Sequence, residues 1–129
     1  MTTPFHVEVE GGRVRGLAPG IDRRHLRRLE RGEWEEEGEI DLHGLRRDEA
    51  RHAVRVALRE AHEAGMRCVR IVHGRGRRSE LGPVLREALP GWLASPPLDR
   101  LVMAFATAPP VQGGEGATLV LLRRGRVGR

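Results

Sequence analysis

Lysine is absent, and all 23 basic residues are arginine. A GC-rich coding bias is enough to produce that choice, so it carries little by itself. Tyrosine is absent too, and two Phe and two Trp complete the aromatic set. No aromatic platform for stacking single-stranded bases is visible, so any nucleic-acid recognition would rest on phosphate contacts and shape. The one cysteine, Cys68, lies inside an apolar run and reads as a buried small hydrophobe in a reducing compartment. Two serines occur, and neither they nor Cys68 are placed for a nucleophile–His relay. No apolar run nears the roughly eighteen residues of a membrane span, and the N-terminus lacks the basic-then-apolar pattern of a secretion signal. The cytoplasm is the expected compartment. No G-x-x-x-x-G-K-[ST] loop or G-x-G-x-x-G after a strand occurs, so no nucleotide cofactor is implied.

The 129 residues suit one domain with an extension, and 32% charged with 39% hydrophobic residues fits a globular chain. The charge is unevenly placed. Residues 1–39 hold seven Arg against nine acids, a balance of −2, and residues 40–129 hold sixteen Arg against nine acids, a balance of +7. A compact domain with that excess is a candidate for polyanion binding, and guanidinium forks suit phosphate.

Two stretches stand out. Ile40-Asp41-Leu42-His43-Gly44 alternates apolar and polar residues and then stops at a glycine. The period of two puts Ile40 and Leu42 on one face and Asp41 with His43 on the other, at a strand end. About thirty residues on, Val69 to Gly76 repeats the plan: an apolar strand, a terminal His73, then Gly74 and Gly76.

Along the chain, 6–10 and 13–15 alternate about Gly11-Gly12 and predict a hairpin with a primed turn. Asp22 is placed to cap a short helix over 23–31 that Gly32 ends. Glu35-Glu36-Glu37 reads as an exposed connector, and the whole extension, residues 1–38, as cover for the core. Ala50, Ala53, Val54, Ala57, Leu58 and Ala61 share one helix face, with Arg51, Arg55 and Arg59 turned away from it. Cys68–Val72 reads as a buried parallel strand. Pro83 starts a helix with Val84, Leu85, Ala88 and Leu89 inward, and Pro90 is expected to end it. Strands follow at 101–106 and 117–122, and a basic tail at 125–129.

Within 39–124 the order is β-α-β-α-β-β, a two-layer α/β sandwich with a mixed four-stranded sheet. Helical crossovers give its first three strands one direction, and the fourth should run antiparallel. Ligands in parallel α/β sheets bind beyond the strand carboxyl ends. His43, His73 and the loop Gly113-Gly114-Glu115-Gly116 therefore meet at one rim.

The rim suggests acid–base chemistry on an anion. Asp41, two residues before His43, could hold that ring and fix its tautomer, although a surface Asp in a turn is the plainer reading of D-x-H. Glycines at 44, 74, 76, 113, 114 and 116 let amides approach an anion, and Arg75, Arg77 and Arg78 supply forked cations. Asp41, His43 and His73 offer no evident third or fourth partner for a structural zinc site. No cofactor is required, and a divalent ion such as Mg is left open.

These residues resemble the Smr (small MutS-related) domain family over roughly residues 39–124. The resemblance rests on Asp41-Leu42-His43-Gly44, His73-Gly74-Arg75-Gly76 and Gly113-Gly114-Glu115-Gly116-Ala117-Thr118, in that order. Gly20-Ile21-Asp22 and Leu29-Glu30-Arg31-Gly32 resemble the extension of stand-alone bacterial members. The resemblance implies a fold like the C-terminal domain of a translation initiation factor. It also implies an endonuclease that nicks DNA or cleaves RNA, using Asp41, His43, His73, Gly74 and Gly76. Arg46 departs from the family, where a Thr often caps the helix; about 1 kcal/mol of capping is forgone.

The leading expectation is a cytoplasmic endonuclease with His43 and His73 as proton-transfer groups. Such a pair could drive attack by an RNA 2′-hydroxyl without a metal. The alternative is a non-catalytic module that docks on DNA, structured RNA or the ribosome. A third is a subunit-docking protein whose arginines only solubilise it. The sequence names no oligomeric state.

Overall fold

The computed structural model describes residues 4–74 and 81–125. Its strands are β1 (His6–Glu10), β2 (Arg13–Leu17), β3 (Gly38–Asp41), β4 (Cys68–Val72), β5 (Val102–Thr107) and β6 (Ala117–Leu122). Its helices are α1 (Arg23–Glu30), α2 (Arg47–Glu63) and α3 (Gly82–Leu93). Among the described residues no helix is long and apolar enough to cross a membrane.

The sheet has six strands in the order β1-β2-β5-β6-β4-β3, not the four expected. The hairpin adds the other two. β2 pairs antiparallel with β5 through Arg15↔Ala106, Gly16↔Phe105 and Leu17↔Ala104. A two-stranded ribbon is marginal alone, so its polar backbone edge completes the domain's own sheet. β3 and β4 pair parallel, and β6 runs antiparallel between β4 and β5. β3, β4 and β5 therefore share a direction as the crossovers require, but β5 is not β4's neighbour.

Both faces of the sheet are covered. α2 buries Ala50, Val54, Leu58 and Ala61, and α3 buries Leu85, Leu89 and Leu93, against Val69, Ile71, Phe105 and Val120. On the other face, Leu26 and Leu29 of α1 pack with Cys68, Ala104, Leu119 and Leu121. Asp22 caps α1, its Oδ1 accepting from the Arg24 N–H at 2.9 Å. Burial pushes the Cys68 thiol up to about 12, with Glu36 and Glu37 adding to the rise. Glu35 and Glu37 of the connector are exposed as expected and Glu36 is half-buried; a Glu37 carboxylate oxygen accepts the Arg67 N–H at 2.6 Å, and Glu36 accepts from Gln112.

Two helix ends differ from expectation in instructive ways. α3 continues through Pro90 to Leu93. Proline removes one helical N–H bond, but Leu93 is fully buried and the Ala94 N–H still reaches the Pro90 carbonyl at 3.0 Å. At the start of α2, Arg46 has no acceptor to offer. Glu49 closes the other half of the cap, accepting the Arg46 N–H at 2.9 Å.

Candidate functional site

β3 stops because its last core residue turns the chain. Leu42 is fully buried, and its N–H extends the parallel ladder to the Val72 carbonyl at 2.8 Å. Asp41 and His43, on the opposite side of the backbone, are exposed. The Asp41 carboxylate accepts the backbone N–H of His43 at 2.9 Å, an Asx-type turn. Among the described residues its hydrogen bond goes to that amide and not to the His43 ring. Asp41 thus acts on the turn that carries His43. Gly44 follows at φ +84°, with open space where a Cβ would stand. The Leu45 N–H then closes on the Leu42 carbonyl at 3.0 Å, and the chain enters α2.

β4 ends differently. His73 is 1% exposed, and both ring nitrogens have partners. Nδ1 lies 3.1 Å from the Gly74 carbonyl and Nε2 lies 3.0 Å from the Thr118 hydroxyl. A carbonyl can only accept, so Nδ1 carries the proton, and in the neutral ring Nε2 accepts from Thr118. Burial pushes the His73 pKa down; the Gly74 carbonyl opposes this and the Arg86 guanidinium reinforces it. His73 is therefore a neutral clip between β4 and β6. The two histidines expected as an exposed proton-transfer pair are unlike: His43 faces solvent and His73 is sealed, because its face of β4 is the one α2 and α3 cover.

The glycine loop does meet this strand end, as the topology predicts. The Gly116 carbonyl accepts from both the His73 N–H at 3.0 Å and the Gly74 N–H at 2.9 Å. Gly74 sits at φ +87°, the conformation that turns its amide back onto Gly116. The Gly113, Gly114 and Gly116 N–H groups donate to the carbonyls of Pro110, Pro109 and Gly113. The expected amide nest is thus not formed by these glycines, because short 3-10 turns over 110–116 consume the donors. Gly44 is the exception. Its N–H has no acceptor among the described residues, and it lies exposed beside His43. Arg75, Gly76, Arg77 and Arg78 lie outside the described residues.

Two participants are given no role by the sequence reading. Thr118 enters it only as the end of the glycine motif, and its being the polar residue in an otherwise apolar strand is the available signal. Arg86 pairs with Glu115 at 3.5 Å, and its position next to the apolar face of α3 gave little warning. The hairpin also reaches this end of the sheet: a Cβ on Gly12 would come within 3.1 Å of Glu115. Among the described residues no three His, Cys, Asp or Glu side chains gather in a way that could hold a metal ion.

With this geometry in hand, known proteins can be compared. The pattern that defines the Smr domain matches residues 40–123. A ribosome rescue factor, SmrB, of Aliivibrio salmonicida is 34% identical over 113 residues, 88% of this chain and 59% of that protein. The chain spans about three fifths of the length of the curated relatives it matches. Among solved structures, YdaL, a stand-alone small MutS-related protein from Escherichia coli, superposes with a TM-score of 0.71 at 29% identity, over 85% of this chain and 82% of YdaL. The Smr domain of Thermus thermophilus MutS2 is 40% identical, with a TM-score of 0.58, over 67% of this chain and 99% of that domain.

Proposed function

The chain belongs to the Smr domain family, and from that premise we propose that it binds ribosome-associated RNA, chiefly through phosphates, at the rim where β3 and β4 end. The observation that carries this is the exposed turn His43-Gly44. It presents an imidazole and an unengaged backbone N–H side by side, held by Asp41. Both are donors suited to a phosphate oxygen. In the sequence, the arginine-rich segment 75–78 follows directly after Gly74, within the part of the chain whose charge balance is +7. The ribosome enters through relatives named as ribosome rescue factors. They are longer than this chain, so what they do is carried here as part of the proposal. The cytoplasm, where ribosomes work, is the compartment that follows.

Cleavage is the second reading, and one observation favours it: His43 is an exposed histidine on a turn fixed by a neighbouring carboxylate. Imidazole can accept a proton near neutral pH, so His43 would take the proton of an RNA 2′-hydroxyl as it attacks the adjacent phosphorus. The P–O5′ bond breaks as the new P–O2′ bond forms, and the leaving 5′-oxygen takes its proton from solvent water, so the products would be a 2′,3′-cyclic phosphate and a 5′-hydroxyl. His73 would hold the glycine loop in place and transfer no proton.

Binding and end-mapping with His43→Ala, Asp41→Asn and Asp41→Ala test both readings. Asn keeps the acceptor that holds the turn. Asp41→Asn should therefore bind RNA like the wild type, while Asp41→Ala and His43→Ala bind more weakly. Wild-type RNA affinity in His43→Ala would remove the rim from the binding site. If the chain cuts, His43→Ala should lose turnover by a factor on the order of 100 or more while the fold is kept. RNA left intact by the wild type, at concentrations where it is bound, returns the binding reading alone.

A further inference from the structure

Helix α2 carries a charge pattern that the rim does not use. Arg47, Arg51, Arg55 and Arg59 recur every fourth residue and so form one ridge along the helix surface. All four are exposed, and none is in an ion pair among the described residues. Asp48 and Glu63 stand three residues before Arg51 and four after Arg59, and neither closes such a pair. Glu60 turns to the other flank, where it lines a cleft with Ile40 and Ala61. Like charges four apart repel and weaken a helix. Three such repulsions in a row, uncompensated within the described chain, call for an external anion.

The ridge begins at Arg47, four residues after His43, and its end lies about 18 Å away. That length spans roughly five phosphates of one stacked strand. Midway, Arg51 and Arg55 line a cavity of about 170 Å³ with Trp92, Ser95, Pro96 and Pro97. At roughly 30 Å³ per water it holds a handful of waters, or one planar ring. Guanidinium groups, a half-buried indole and two proline rings around one such space make a place where a phosphate and a base can be held together.

We propose that the α2 ridge is the track of a single RNA strand leaving the rim, with one base of that strand seated in the cavity against Trp92. The proposal rests on the RNA-binding reading above and extends it to a surface outside the family motifs. It makes Arg47 and Arg59 backbone contacts, with Arg51 and Arg55 on the two phosphates that flank the base seated against Trp92.

The test uses the full chain and a fluorescent, unstructured oligouridylate, titrated at several salt concentrations. Arg51→Gln/Arg55→Gln is compared with Arg27→Gln/Arg31→Gln, which removes the same two charges from exposed positions on α1 and its C-cap, the far side of the sheet. The ridge double should bind at least about 10-fold more weakly, and its salt slope should fall by about 1.4, two contacts at ~0.7 each. The α1 double should change by less than about 3-fold, the effect of net charge alone. Equal losses in the two doubles, or no loss in the ridge double, overturn the track. A wild type that binds no RNA at any salt overturns the underlying reading as well. A wild type that binds, with the loss confined to His43→Ala, overturns the track alone. Emission from Trp92 in a Trp34→Phe background should be quenched by RNA, and the complementary Trp92→Phe chain, whose emission comes from Trp34, should show no such quenching. Unchanged Trp92 emission on binding removes the base from the cavity.

Discussion

His73 is a histidine whose neutrality holds the structure together. Protonating it would put a charge in a buried site, and Nε2 could no longer accept the Thr118 hydroxyl. Its folded-state pKa lies below the ordinary 6.5, first because of burial. Between the folded and unfolded values the unfolded chain binds more protons, so stability rises with pH through that window. The contribution is fully present above the unfolded value and is lost as pH falls toward and through the folded one. Urea midpoints measured from pH 8 down to 5 should therefore show a loss in the wild type that His73→Gln lacks. The extra slope can reach at most about 1.4 kcal/mol per pH unit. Parallel curves for the two proteins would mean that folding does not shift the His73 pKa. The same residue shows where reading ran ahead of packing: a His at a strand end looks alike whether its ring faces solvent or α3.

At the level of elements, the hairpin is bound to the core at Gly16. A Cβ built there would stand 2.3 Å from ring carbons of Phe105. That ring is fully buried and stacks on Phe5 at 5.6 Å between centroids, so it has no room to retreat. Gly16→Ala should cost about 1–3 kcal/mol through overpacking and lower the melting temperature. Gly91→Ala makes the useful contrast. It lies inside α3 with nothing within 4 Å of the added carbon, so it should stabilise by up to about 1 kcal/mol. A neutral Gly16→Ala would show that β2 shifts away from β5 at little cost. The alternation on either side of Gly11-Gly12 announced the hairpin in advance. Its docking strand was not announced, because edge pairing is made by backbone groups that every sequence has.

For the molecule as a whole, the +7 balance of residues 40–129 sets the behaviour with polyanions. Arg75, Arg77 and Arg78 follow β4 in the sequence, and changing all three to Ala should weaken binding similarly for RNAs of different sequence. The salt slope should fall by about 2, three contacts at ~0.7 each. Equilibrium titrations across salt with two unrelated oligonucleotides check this. A loss confined to one of them would mean that these arginines read bases.

Local pattern alone determined a good deal of this protein. Period-two alternation gave β1, β2 and β3, the apolar face gave α2, and the order of strands and helices gave the rim at which β3, β4 and the glycine loop meet. These are near-neighbour properties, set by backbone geometry and side-chain spacing. Tertiary structure decided which groups at that rim are free. Asp41 and His73 are each one polar group in an otherwise legible strand, yet one bonds a turn amide in solvent and the other is sealed beneath a helix. The Gly113, Gly114 and Gly116 amides looked available and are spent within their own loop, and the Gly74 amide is spent across the fold on Gly116. Such outcomes depend on which partner lies across the fold, and partners such as Gly116 for Gly74, or Thr118 for His73, are more than forty residues away in the chain. Spacing places a side chain on a face; only packing determines whether that face meets water.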